Sequence, residues 1–177
     1  MEQFLQPARE EWESLLARPT ASYTELEPIV AKVFNEVRER GDAALKDYTT
    51  QFDKVVLTDL VVPKTDINQA SDRLTSELKQ AIQLAKKNIE GFHRAQKTPK
   101  VSVETQAGVE CWQEKRPIQK VGLYIPGGSA PLFSTILMLA IPAQIAGCTE
   151  IVLCSPPNES GSLPDEVLYT ASLCGVS

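Results

Sequence analysis

The sequence predicts an α/β protein: a helical N-terminal region, then a β-hairpin, then the opening strands and helices of a parallel sheet that is cut short. Three observations predict it. Apolar residues from Leu26 to Phe92 recur at helical spacing, residues 101–113 alternate with a period of two, and residues 120–154 read as strand, helix, strand. A connection of that length between two strands implies a crossover and parallel pairing.

The elements follow in order. Pro7 suits the first turn of a helix that carries Trp12, Leu15 and Leu16 on one face, and Arg18-Pro19 ends it. Thr24, with Glu27 three residues later, is a capping box that starts a second helix. Leu26, Ile29, Val30, Val33, Phe34 and Val37 form its apolar stripe, and Gly41 stops it. Asp42 caps a third helix, on which Leu45, Tyr48 and Phe52 share a face. Val55 to Val62 is rich in β-branched residues and closes at Pro63, which predicts a short strand.

A long helix is predicted over 75–97, its buried side made by Leu78, Ala81, Ile82, Ala85, Ile89 and Phe92. Its length of roughly 30 Å suits an arm or a brace between subunits as well as a core helix. Val101, Val103 and Thr105, the Ala107-Gly108 turn, and Val109, Cys111 and Gln113 make the hairpin. Lys120 to Ile125 is a strand, residues 126–129 a tight turn, Leu132 to Ala146 a helix, and Glu150 to Cys154 a second strand. Pro164 opens a last helix, and Gly175-Val176-Ser177 approaches a further strand.

Composition narrows the function classes. An apolar fraction of 42% and a charged fraction of 23% belong to a chain that folds. The net charge is −5 and the basic residues are scattered, which speaks against nucleic acid as a partner. The start Met1-Glu2-Gln3-Phe4 lacks the basic and apolar regions of a secretory signal, so a cytoplasmic location is expected. The uncharged stretch from Val121 to Thr149 is interrupted by prolines, glycines and hydroxyl residues, and a membrane span is not expected. Cys111, Cys148, Cys154 and Cys174 form no Cys-x-x-Cys pair and read as reduced, buried thiols.

The stretch richest in chemical signals is Gly122-Leu123-Tyr124-Ile125-Pro126-Gly127-Gly128-Ser129-Ala130-Pro131, at a strand's C-terminal end and a helix start. Open α/β sheets bind ligands there. Glycines admit an anion to the backbone N–H groups, and a helix N-terminus favours negative charge. The stretch is neither Gly-x-Gly-x-x-Gly nor a P-loop, and a purely structural turn fits it as well. Tyr124 reads either as a ring that stacks on a flat ligand or as one packed under the loop. His93 is the only histidine and reads as a surface residue. No second histidine completes a zinc site, and Ser129 and Ser134 have no base beside them.

Longer motifs are more specific. Gly41-Asp42-Ala43-Ala44-Leu45, Phe52-Asp53-Lys54, Arg116-Pro117-Ile118 and the block from Val121 to Thr135 resemble histidinol dehydrogenase, as do Ile141-Pro142-Ala143, Gly147-Cys148 and Leu153-Cys154-Ser155-Pro156-Pro157. The resemblance runs through essentially the whole chain and marks it as the N-terminal portion of that family's sequence.

What the resemblance implies is a zinc enzyme that oxidises L-histidinol through histidinaldehyde to L-histidine with two NAD⁺ in succession. It further implies homodimers with Rossmann-like domains and arms that cross between subunits. Residues 1–98 then form a mainly helical region with the character of a dimer arm, and residues 99–177 a partial Rossmann-like domain. Tyr124, Pro126 and Phe52 correspond to cofactor contacts for NAD. The zinc ligands and the catalytic acid–base pair match no residues here, so the fragment alone is expected to be inactive. The alternative is a non-catalytic nucleotide- or partner-binding module of the same fold.

Overall fold

The computed structural model describes residues 4–17, 23–127 and 132–176. The chain divides into two compact units, Met1–Ala44 and Leu45–Ser177.

In the first unit a 3-10 turn, Arg9–Glu11, leads into α1, Trp12–Leu16. The Trp12 indole N–H donates to the Pro7 carbonyl at 3.1 Å. The predicted stop at Arg18-Pro19 lies outside the described residues. A second 3-10 turn, Tyr23–Glu25, precedes α2, Leu26–Arg40. Thr24 lies inside that turn. Lys32 and Arg40 pair with Glu36 at 3.8 and 3.9 Å along one side of α2. The apolar stripe is formed as predicted, yet Leu26, Ile29, Val30 and Phe34 are exposed. Gly41 ends α2 in the left-handed region (φ +57°), and its N–H donates to the Val37 carbonyl at 2.8 Å.

The helix α3 spans Asp42–Phe52, and the Tyr48 and Phe52 rings stack at 5.7 Å. The strand predicted over Val55–Val62 is not formed. A strand needs a neighbour to take its backbone groups, and this segment has side chains instead. The Thr50 hydroxyl donates to the Val55 carbonyl at 3.2 Å, and the Lys46 ammonium to the Thr58 carbonyl. Val55 is buried, whereas Val56 and Val61 are 80% and 81% exposed.

A helix that the sequence did not announce follows: α4, Lys64–Arg73. Then comes α5, Ser76–Ala95, capped by the Thr75 hydroxyl, which accepts from the Leu78 N–H at 3.2 Å. The hairpin forms as predicted from β1, Val101–Gln106, and β2, Val109–Gln113, antiparallel and exposed throughout. β3, Lys120–Tyr124, pairs in parallel with β4, Glu150–Cys154, and α6, Phe133–Ala146, joins them. α7, Asp165–Leu173, closes the second unit.

Two adjoining cores hold this unit. In the first, Ile136, Leu137, Ala140 and Ile141 of α6 meet Ile125, Val167 and Cys174, with Ala85 and Ile89 of α5 against them. In the second, Ala70 of α4 and Ile82 of α5 meet Leu168 and Tyr169 of α7. The Tyr169 hydroxyl accepts from Gln83 at 3.0 Å. Among the described residues no helix is long and apolar enough to cross a membrane.

Candidate functional site

The C-terminal ends of β3 and β4 place Tyr124 opposite Cys154. The Ile125 N–H donates to the Cys154 carbonyl at 2.9 Å and carries the pairing one residue beyond the strand. Ile125 is buried, which anchors the exit of β3 in the core, while the Tyr124 side chain leaves the other face 64% exposed. A parallel pair alternates its side chains in this way. Tyr124 is therefore not packed beneath a loop.

Beyond the strands the two exits come into contact. A Cβ added at Gly127 would lie 2.8 Å from the Pro156 ring, so only glycine fits beside that ring. From Pro156 the chain runs through a self-tied turn. The Asn158 carboxamide oxygen accepts from the Ser160 and Ser162 backbone N–H groups at 3.0 and 3.1 Å, and from both hydroxyls. Gly161, at φ +78°, lies so close to Val55 that a Cβ there would be 3.3 Å from its methyl.

Between this loop, the irregular segment 56–63 and the strand ends lies an open hollow of about 1050 Å³, within the second unit. Tyr124 and Cys154 form one side, Pro156, Pro157 and Asn158 another. At its rim Arg73, the last residue of α4, grips Asp165, the first residue of α7. The Nε donates to both carboxylate oxygens at 2.8 and 2.9 Å, and Nη2 donates to one of them at 2.6 Å. The hydrogen bond to Asp165 raises the Arg73 pKa above its ordinary value.

Of the three cofactor residues named from sequence, Tyr124 lines the hollow. Phe52 and Pro126 are exposed and do not line it, Phe52 being stacked on Tyr48. Gly128 and residues 129–131 lie outside the described residues. His93 does not line the hollow either; its Nδ1 shares a hydrogen bond of 2.8 Å with the Gln96 carboxamide. All four cysteines are free. The expectation that they are buried holds for Cys174 alone, because Cys111 sits on the bare hairpin and Cys154 faces outward at the end of β4. Among the described residues no three His, Cys, Asp or Glu side chains converge on a point where a metal ion could sit. These side chains do not fit a zinc site.

Sequence reasoning missed Arg73, Asp165 and the wall formed by 56–63. For Pro156 and Asn158 a signal existed, since they follow a parallel strand at the end where ligands bind. For Arg73, 92 residues from its partner, none did.

A hollow at the C-terminal edge of a parallel pair, with an aromatic ring on one wall and a charged clamp at its rim, suits a flat polar ligand. The family model described as histidinol dehydrogenase matches residues 16–177. Histidinol dehydrogenase of Bacteroides thetaiotaomicron is 51% identical over 171 residues, 97% of this chain and 40% of that protein. The enzyme of Escherichia coli K12 is 55% identical over 168 residues, 94% of this chain and 38% of that protein. The crystal structure of histidinol dehydrogenase from Elizabethkingia anophelis superposes with a TM-score of 0.91 at 50% identity, covering 98% of this chain and 40% of that one. The chain thus spans about two-fifths of the length of these relatives, and its α/β fold is theirs. With a match over nearly all of its residues, the chain belongs to the histidinol dehydrogenase family.

Proposed function

We propose that this chain is the part of a histidinol dehydrogenase that supplies one side of the NAD site for the oxidation of L-histidinol to L-histidine through histidinaldehyde. The hollow at the ends of β3 and β4, with the Tyr124 ring on its wall, carries this reading. Its volume of about 1050 Å³ is at the upper end for small-molecule sites and has room for a dinucleotide. NAD⁺, when bound, supplies the hydride acceptor.

The chain's own residues bind and orient. Tyr124 offers a ring face for stacking and a hydroxyl for a polar group. Gly127 and Pro156 hold the two strand exits together, and the Asn158 turn keeps the facing wall in one shape. Removing a hydride from an alcohol also needs a base for the hydroxyl proton. In this reading the base and the zinc ligands come from sequence outside these 177 residues, so that the chain by itself does not turn over histidinol. Pro126 and Phe52 remain proposed contacts near the nucleotide. A cytoplasmic homodimer is proposed as the working form, supported by the exposed apolar stripe of α2, which needs cover.

Tyr124→Ala in the full-length natural protein tests the reading. Loss of the stacking ring weakens NAD⁺ by about 1 to 2 kcal/mol in titration calorimetry, with zinc content unchanged. An unaltered NAD⁺ affinity would remove the nucleotide from this hollow.

A further inference from the structure

Resting on the reading of the hollow as the nucleotide site, we propose that Arg73 and Asp165 are positioning residues for the nucleotide: their ion pair fixes the wall of the hollow formed by residues 155–164.

Leu163, two residues before Asp165, seats that wall against both cores, and three further contacts hold it. At its start Pro156 packs on Gly127, and in its middle Gly161 packs on Val55. Both are van der Waals contacts, which resist compression but not sliding. The third point, where the wall becomes α7, is directional. The Arg73 fork closes on the Asp165 carboxylate with bonds of 2.6, 2.8 and 2.9 Å. Its Nη2 also reaches the Asp66 carbonyl on its own helix at 3.4 Å, which lays the side chain along α4. A planar guanidinium fixes both distance and angle of a carboxylate, which an ammonium does not.

A displacement at Asp165 travels along the wall. The Asn158 carboxamide ties Ser160 and Ser162 into one piece, so the turn shifts as a body rather than absorbing the movement. Asn158, Ser160 and Ser162 all line the hollow. Among the described residues lining it, Arg73 is also the one basic side chain, beside Asp59, Asp66 and Asp165. That second role separates two explanations. If Arg73 acted by charge alone, neutralising Asp165 would free it for an anionic dinucleotide and tighten binding. A positioning pair requires both neutral variants to weaken it.

The test uses the full-length natural protein and reads NAD⁺ affinity by calorimetry, together with kcat and the KM of each substrate. Arg73→Gln and Asp165→Asn each weaken NAD⁺ about fivefold, the scale of a partly exposed ion pair with good geometry. KM for NAD⁺ rises in step, by more than kcat falls and by more than KM for histidinol moves. The reversed pair, Arg73→Asp with Asp165→Arg, recovers most of the affinity, and Arg73→Lys recovers part. Tightening by Asp165→Asn, or affinities within twofold of the parent in both neutral variants, overturns the proposal. Should either neutral variant fail to fold, Arg73→Lys decides, since parental affinity without the fork overturns the claim of geometry. Tyr124→Ala keeps the two layers apart. If it weakens NAD⁺ while the pair variants do not, the proposal falls and the nucleotide reading stands; if it has no effect, both fall.

Discussion

Replacing Gly127 by alanine adds one methyl group where the two strand exits meet. The new carbon would lie 2.8 Å from Pro156 Cγ, and 3.8 and 3.9 Å from its Cβ and Cδ. Non-bonded carbons settle at about 3.5 to 4.0 Å, so one exit must retreat by about 0.7 Å. A change of ring pucker moves Cγ by only a fraction of an ångström, and the rest of the movement falls on backbone. Gly127 is not among the glycines with positive φ, so the alanine brings no conformational strain of its own and the whole effect is the clash. Overpacking of this kind destabilises by about 1 to 3 kcal/mol, a fall in Tm of roughly 2 to 12 °C for a chain of this size.

Thermal unfolding of the parent, Gly127→Ala, Pro156→Ala and the double variant measures it. The double variant should recover at least about 1 kcal/mol relative to the sum of the singles, because with the ring gone the methyl has room. Gly122→Ala, with nothing within 4 Å of its added carbon, is the matched control and should be close to neutral. Additive singles, or a neutral Gly127→Ala, would refute the close approach of the two exits.

Two further outcomes concern the cores. The Thr170 hydroxyl is fully buried and has no hydrogen-bond partner among the described residues, so Thr170→Val keeps the shape, removes the unsatisfied oxygen and raises stability by about 1 kcal/mol. A loss of similar size in thermal unfolding would show that the hydroxyl has a partner. Burial pushes the Cys174 thiol above its ordinary pKa, so the folded state holds that proton more tightly than the unfolded chain does. The resulting stability is fully present below the unfolded value of about 8.5 and is lost as pH rises through the folded one. Tm should therefore fall more steeply between pH 8 and 10 in the parent than in Cys174→Ala, and parallel curves would refute it.

Much of the fold was legible because most elements carry their own signal. α6 and β4 sit within one residue of where pattern placed them, since an uncharged run bounded by Gly127 and Gly147 leaves few alternatives. Gly147 ends α6 in the left-handed region with its N–H on the Ala143 and Gln144 carbonyls, a stop that sequence announces plainly. α4 was illegible for the opposite reason. Lys64-Thr65-Asp66-Ile67-Asn68-Gln69-Ala70-Ser71-Asp72-Arg73 offers Ile67 and Ala70 as its only apolar positions, too few for a periodic stripe. Its helicity comes from tertiary packing of Ala70 beneath α7 and from the Asp165 ion pair at its last residue. Val55 to Val62 erred in the other direction: β-branched composition without a partner strand leaves a coil whose carbonyls side chains satisfy.

The site divides along the same line. Tyr124 was legible because a strand end in a parallel pair is a local feature, and register alone puts its side chain opposite the buried Ile125. The wall facing it is not local. It is assembled by a helix with a nearly silent sequence docking on another, which brings Arg73 to Asp165 across 92 residues of chain. A fork that holds a carboxylate leaves no periodic trace, since neither member needs a fixed distance in sequence from the other. Residues that fix a binding surface through such pairs are therefore found by geometry, whereas residues that present a ring or a backbone N–H to the ligand at an element's end are found by pattern. By that logic the two halves of this hollow tolerate change differently. The Tyr124 side depends on strand register and on the local contact of Gly127 with Pro156, while the Asp165 side moves with any change that shifts α4 against α7.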